Sequence, residues 1–275
     1  METVTKTLNY NAIADGISEW LKTYAQKSGA KGFVMGVSGG IDSAVVSALC
    51  ARTGLDLLVL EMPIHQGQDQ VDRAANHIAW LKSKYPNVSS KRIDLTSTYD
   101  SLYEAYAPEA GSTSKESFDF CMANTRSRLR MVTLYQFAGI NKYLVAGTGN
   151  KVEDFGIGFY TKYGDGGVDI SPIGDLMKSE VYALGAALGV GNDILTAAPT
   201  DGLHADGRTD EDQIGATYDE LEWAMKLVNG TPYDKFYANP TERQNKVLEI
   251  YNKFHNGNKH KMDPIPVFDT TQYRA

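Results

Sequence analysis

Hydrophobic residues along this chain switch between two spacings, and the switches mark out its elements. Ile13, Ile17, Trp20, Leu21 and Tyr24 fall at helical intervals, which predicts an amphipathic helix over 9–27. The apolar run from Gly32 to Val37 has strand length, and Ile41 to Arg52 is rich in Ala, Val and Leu at helical spacing. Leu57 to Met62 predicts a second buried strand, ended by Pro63. Val71, Ala74, Ala75, Ile78 and Leu81 place a helix over 68–84, followed by a third strand at about 91–95 and a helix at about 97–107. A loop rich in turn formers at 108–115 precedes a long helix over 116–139 and a fourth strand over 142–146. Beyond it, 176–188 reads as a helix starting near Lys178. The segments 214–228 and 240–255 read as amphipathic helices before a tail that carries His260 and Lys261. Short apolar strands alternating with helices predict an α/β fold, a doubly wound, Rossmann-like parallel sheet with helices on both faces, in one domain spanning 1–275.

The turn between the first strand and its helix, Ser38-Gly39-Gly40-Ile41-Asp42-Ser43, is the first candidate for chemistry. Two glycines and a helix start aim several backbone N–H groups at one spot and let an anion approach closely, which suits a phosphate. The turn lacks the lysine of a Walker A loop, and the chain has no G-x-G-x-x-G. Asp42 beside a phosphate would be repulsive without a divalent cation between them, which points to Mg²⁺; the plain alternative is a helix-start carboxylate. At the end of the fourth strand, Gly147-Thr148-Gly149-Asn150-Lys151-Val152-Glu153-Asp154 falls where α/β sheets bind ligands. Thr148 is a candidate nucleotide contact there, and Glu153 or Asp154 a candidate second metal carboxylate.

Two further loops are too rich in turn formers or charge to be regular elements, Phe159 to Asp169 and Thr200 to Gln213. Both have few apolar anchors, so one or both are expected to be mobile and to become ordered as lids over bound nucleotide. Arg126, Arg128 and Arg130 alternate along the long helix and cannot share one face, so they need not share one job.

Composition narrows the class. The 275 residues carry a formal charge of −7, with 42% hydrophobic and 22% charged residues. That acidity argues against a grip on nucleic-acid backbones. Cys50 and Cys121 form no C-x-x-C pair, and no secretory or membrane-spanning stretch is visible, so the expected location is the cytoplasm, with no membrane partner.

The phosphate turn resembles the pyrophosphate loop of the ATP-pyrophosphatase superfamily. The run Phe159-Tyr160-Thr161-Lys162-Tyr163-Gly164-Asp165-Gly166-Gly167-Val168-Asp169 resembles one family within it, the ammonia-dependent NAD synthetases. So do Ala198-Pro199-Thr200, Tyr218-Asp219-Glu220 and His260-Lys261. The resemblance implies a homodimer with the deamido-NAD site completed across the subunit interface. It implies ATP as co-substrate, Mg²⁺ as cofactor, and amidation of deamido-NAD by ammonia through an acyl-adenylate, giving NAD, AMP and pyrophosphate. On the matching positions it implies ATP contacts from Gly36, Val37, Ser38, Gly39, Gly40, Ile41, Asp42, Ser43, Thr148, Lys178 and Thr200, with Asp42 and Lys178 catalytic and Asp42 and Glu153 on the metal. Arg128, Lys162, Asp169, His260 and Lys261 would hold deamido-NAD. Two departures from common bacterial members stand out, the run Gly149 to Glu153 and Glu61 at the end of the second strand. The roughly thirty residues before the phosphate turn cannot encode an N-terminal glutaminase domain, so free ammonia is the expected nitrogen source, unless a separate glutaminase subunit delivers it. The rival readings are a tRNA-modifying adenylating enzyme, which would want a basic surface, and a non-catalytic nucleotide-binding regulator, against which Asp42, Glu153 and Lys178 argue.

Overall fold

The computed structural model describes residues 8–200, 209–230 and 240–274. Four parallel strands, β1 (Gly32–Gly36), β2 (Asp56–Glu61), β3 (Val88–Arg92) and β4 (Tyr143–Val145), stand in the order β3-β2-β1-β4. Val34 lies opposite Leu58 on one side and Val145 on the other. Ile170 adds one parallel rung beside Ala146.

Strand periodicity sorts the core. Phe33, Met35, Leu57 and Val59 face one side, where α1 (Tyr10–Lys27), α2 (Ile41–Arg52) and α3 (Gln68–Lys84) cover them, with α6 (Lys178–Leu188) and the short α7 (Asn192–Leu195). Val34, Leu58, Leu60 and Val145 face the other, under α4 (Thr96–Tyr106) and α5 (Lys115–Asn141). Both faces of the sheet are therefore apolar and both are covered, as a parallel sheet requires. A third apolar cluster gathers α8 (Asp210–Ile214), α9 (Tyr218–Val228) and α10 (Glu242–Met262) against a π-helical turn at Val152–Ile157.

Several boundaries differ from those predicted. β3 runs over 88–92 and not 91–95, because its pairing places Val88 opposite Leu57; a polar edge strand of Ser, Lys and Arg carries no periodic signal of that register. The loop expected at 108–115 holds a 3-10 turn over Ala107–Ser112. The helix expected over 214–228 is divided at Gly215, whose φ of +85° ends α8, and Thr217 caps the start of α9 with a Glu220 capping box. α10 continues to Met262, so His260 and Lys261 sit in its last turn and not in a tail.

The chain leaves β1 outward to β2 and β3 and then returns to place β4 on β1's other side. Successive connections thus diverge from the carboxyl ends of β1 and β4, and a crevice opens there.

Candidate active site

Sequence and tertiary packing together shape the phosphate turn. Gly39 has a φ of +83°, and a Cβ on it would lie 2.7 Å from the Gln70 carbonyl oxygen of α3, so only glycine fits. The Ser43 hydroxyl donates to the Gly40 carbonyl at 2.9 Å and accepts from the Ser38 backbone N–H at 3.3 Å, while Ser38 Oγ accepts from the Gly40 N–H at 3.3 Å. The N-cap of α2 is Gly40, which has no side chain to cap the helix, so its first N–H groups suit an anion.

Facing the turn, the residues after β4 carry the carboxylate Glu153 on the π-helical turn. Lys178, the first residue of α6, joins the two sides. Its ammonium donates to Asp42 Oδ2 at 2.7 Å and to Glu153 Oε1 at 2.9 Å. Burial opposes its charge, but the two carboxylates outweigh burial and raise its pKa above the ordinary lysine value. The fully buried Asn150 ties the same two segments, donating from Nδ2 to Asp42 Oδ1 at 3.2 Å and accepting from the Glu153 N–H at 3.1 Å. The Tyr218 hydroxyl contacts Glu153 Oε1 at 2.5 Å and Asp210 Oδ2 at 3.1 Å, and its ring lies 4.7 Å beneath the Lys178 ammonium. A cleft of about 290 Å³ opens over this cluster.

All eight residues of the stretch from Gly36 to Ser43 line the cleft, and so do Thr148, Glu153, Lys178 and Thr200. Chain segments far apart in sequence thus converge on one cleft. The expected deamido-NAD residues do not line it. The Arg128 Nε donates to the Lys162 carbonyl at 3.3 Å, the Lys162 ammonium to the His260 carbonyl at 2.9 Å, and the Lys261 ammonium to the Tyr160 carbonyl at 2.7 Å. These bonds tie α5 and the last turn of α10 to the Phe159–Asp169 loop. Asp169 holds backbone, accepting from the Val145 N–H at 2.8 Å and from the Tyr135 hydroxyl at 3.1 Å.

The same loop corrects the expectation of a poorly anchored lid. Asp165 accepts from the Ser127 hydroxyl at 2.6 Å and the Thr161 N–H at 3.0 Å, and the Thr161 hydroxyl donates to Asn124 at 2.6 Å. Polar anchors on α5 replace the missing apolar ones. In the other expected lid, 201–208 lie outside the described residues, Thr200 lines the cleft and Asp210 is buried. The three arginines of α5 do part company: Arg126 stacks 4.8 Å over the Tyr99 ring, Arg128 supports the loop, and Arg130 donates to the Met62 carbonyl at 3.1 Å.

Asp42 and Glu153 fit a magnesium site of the kind completed by substrate. Mg²⁺ is commonly bound by one or two carboxylates plus phosphates, and these two carboxylates meet at one cation beside the phosphate turn. Among the described residues no group of three or more His, Cys, Asp or Glu forms an all-protein cage.

The sequence assigns no role to Asn150 or Asp210, offers Tyr218 only as part of a family motif, and gives Asp154 only as the alternative to Glu153 on the metal. Asp154 packs against Gly149, where a Cβ would collide with its carboxyl, and burial pushes its pKa well above the usual carboxylate range, with Glu153 and Asp165 adding to the rise. The only signal for it was a second carboxylate beside Glu153.

The NAD synthase family description matches residues 13–265 of the chain. An NH(3)-dependent NAD(+) synthetase from Finegoldia magna is 36% identical over 217 residues, which cover 78% of this chain and 84% of that protein. Among solved structures, the NMN synthetase from Francisella tularensis superposes with a TM-score of 0.80 at 32% identity, covering 96% of this chain and all of that one. The NH3-dependent NAD synthetase from Campylobacter jejuni superposes at 0.73 and 25% identity, covering 95% of this chain. The matching span reaches from α1 to just past α10 and contains every residue of the cleft, and on that extent the chain belongs to the NAD synthase family.

Proposed function

We propose that the chain is an ATP-dependent ligase that converts deamido-NAD and ammonia to NAD, AMP and pyrophosphate. The observation that carries this reading is the Lys178 ammonium shared by Asp42 and Glu153 beside a phosphate-binding turn. In the first step a nicotinate carboxylate oxygen bonds to the α-phosphorus of ATP. The bond from that phosphorus to the β-phosphate bridge breaks, and its electron pair leaves on pyrophosphate. Like charges oppose this attack; Lys178 and the N–H groups at the start of α2 lie where the negative charge accumulates. Asp42 and Glu153 would hold Mg²⁺ together with the polyphosphate, and the ion would offset further phosphate charge. In the second step the ammonia lone pair bonds to the acyl carbon, the carbon–oxygen bond to AMP breaks with its pair on AMP, and the nitrogen gives up one proton.

That Arg128, Lys162, His260 and Lys261 stand outside the lining of the cleft supports a site completed by a second copy of the chain. α5 also exposes Phe120 and Val132, and the segment after α10 exposes Val267 and Phe268 at 86% and 73%. Such apolar surface suits a homodimer. The expected sedimentation behaviour is that of a dimer, and a monomer at micromolar concentration contradicts this arrangement. The acidic composition and the small-molecule substrates suit a cytoplasmic enzyme with no nucleic-acid partner.

The test is pyrophosphate release from ATP with ammonium, offered either nicotinate adenine dinucleotide or nicotinate mononucleotide. Release with the dinucleotide and formation of NAD is expected. Release with the mononucleotide alone favours a second reading, motivated by the likeness to an NMN synthetase. Release with neither acceptor contradicts both.

A further inference from the structure

The cations that line the cleft are Lys178, Arg92, Arg130 and Arg73, and three of them are held by groups of the cleft itself. Lys178 is shared by Asp42 and Glu153, Arg130 donates to the Met62 carbonyl and to Gln66 Oε1, and Arg92 faces Glu61 at 3.6 Å. Arg73 differs. Among the described residues it pairs with Asp69 one turn earlier, at 3.0 Å, and that carboxylate is 70% exposed. Ion pairs of this kind on helix surfaces contribute little and exchange readily. Its Nε is buried and has no hydrogen-bond partner among the described residues, a costly position for a donor.

The place of Arg73 follows from helix geometry. Gln70, Arg73 and Ala74 share one face of α3 at i, i+3 and i+4, and all three line the cleft. That face abuts the phosphate turn: a Cβ placed on Gly39 would lie 3.2 Å from the Arg73 Cβ. The side chain therefore starts at the back of the loop and is long enough to reach around it. A guanidinium offers five donors in a fork that matches phosphate oxygens.

Resting on the ligase reading above, we infer that Arg73 grips the β- and γ-phosphates of ATP, and then the pyrophosphate, by exchanging Asp69 for the polyphosphate. When the bond between the α-phosphorus and the bridging oxygen breaks, its electron pair moves onto the pyrophosphate. Arg73 sits at the loop that holds this leaving group, whereas Lys178 acts between Asp42 and Glu153, bridging that loop and the turn after β4. The assignment makes Arg73 a residue for the leaving group and not for the nucleoside.

Calorimetric titration of the full chain with Mg²⁺ and three probes separates these roles: α,β-methylene ATP, inorganic pyrophosphate and AMP. Arg73→Ala is expected to weaken the analogue and pyrophosphate by roughly tenfold or more, as loss of a charge-assisted phosphate contact does, and AMP by less than twofold. Arg73→Lys should recover part of the loss, since charge is kept and the fork is not. Asp69→Asn should tighten pyrophosphate, because the competing carboxylate is gone. Equal weakening of AMP and the analogue, or no weakening of either, overturns the assignment while wild-type binding leaves the ligase reading standing. Wild-type protein that binds none of the three overturns both.

Discussion

The ammonium of Lys178 lies 2.7 Å from Oδ2 of Asp42, joining the first residue of α6 to the first turn of α2 across 136 positions of sequence. Removing either partner leaves the other in a buried place that was built for two.

Lys178→Met should therefore act on both stability and rate. Two neighbouring carboxylates lose their shared cation, and breaking a buried pair from one side costs about 3 kcal/mol or more. The rate of pyrophosphate release should fall by roughly a hundredfold or more, since the removed charge acts where negative charge develops. Stopped-flow pyrophosphate detection beside thermal unfolding reads both effects; an unchanged release rate would remove Lys178 from the chemistry.

Asp42→Asn should keep the fold and lose activity. The amide oxygen still accepts from Lys178, but an amide replaces an anion as a ligand for a hard cation. Circular dichroism should be that of the wild type, with turnover reduced by about a hundredfold at saturating Mg²⁺. Wild-type turnover would contradict the metal assignment.

Tyr218→Phe isolates one hydroxyl. It removes a donor held at 2.5 Å from Glu153 and 3.1 Å from Asp210 while keeping the ring beneath Lys178. The expected loss is about 1–3 kcal/mol, because two carboxylates lose a shared partner. In a chain of this size that lowers the unfolding midpoint by roughly 2–5 °C. A midpoint within error of wild type would show that the hydroxyl carries no such load.

His77 sets an acid limit on stability away from the cleft. It is 3% exposed, its Nε2 meets Ser47 Oγ at 2.8 Å, and burial lowers its pKa to about 4. The unfolded chain, with a histidine pKa of about 6.5, takes up the proton first. The contribution of neutral His77 is thus fully present above pH ~6.5 and is lost as pH falls towards about 4, reaching about 3 kcal/mol at most. His77→Gln should flatten the fall of the unfolding midpoint between pH 7 and 4.5. Identical slopes in variant and wild type would count against this.

Much of the fold was legible because its signals are local. The two faces of the sheet follow from alternation in β1 and β2: odd positions Phe33, Met35, Leu57 and Val59 point one way, even positions Val34, Leu58 and Leu60 the other. The phosphate turn was legible for the same reason, since two glycines before a helix start describe a backbone shape within six residues. The paired register of β3 was not, because a polar edge strand looks alike in either alignment and only its hydrogen bonds to β2 choose.

Local signals in the chain were enough for the parallel α/β layout, the glycine turn and the identity of the charged groups that stand near it. What those groups do follows from the packing of distant segments. Asn150 reads as one polar residue in a loop until the sheet order sets β4 beside β1, and then it ties Asp42 to Glu153. Asp169 looked like a substrate contact, yet its carboxylate completes the backbone of β4. Arg73 carried no motif, and it faces the cleft because α3 packs its Gln70–Ala74 side on Gly39. The reason is range: torsional and periodic preferences act over a few residues, while a side chain's partner depends on which distant strand ends the sheet brings together.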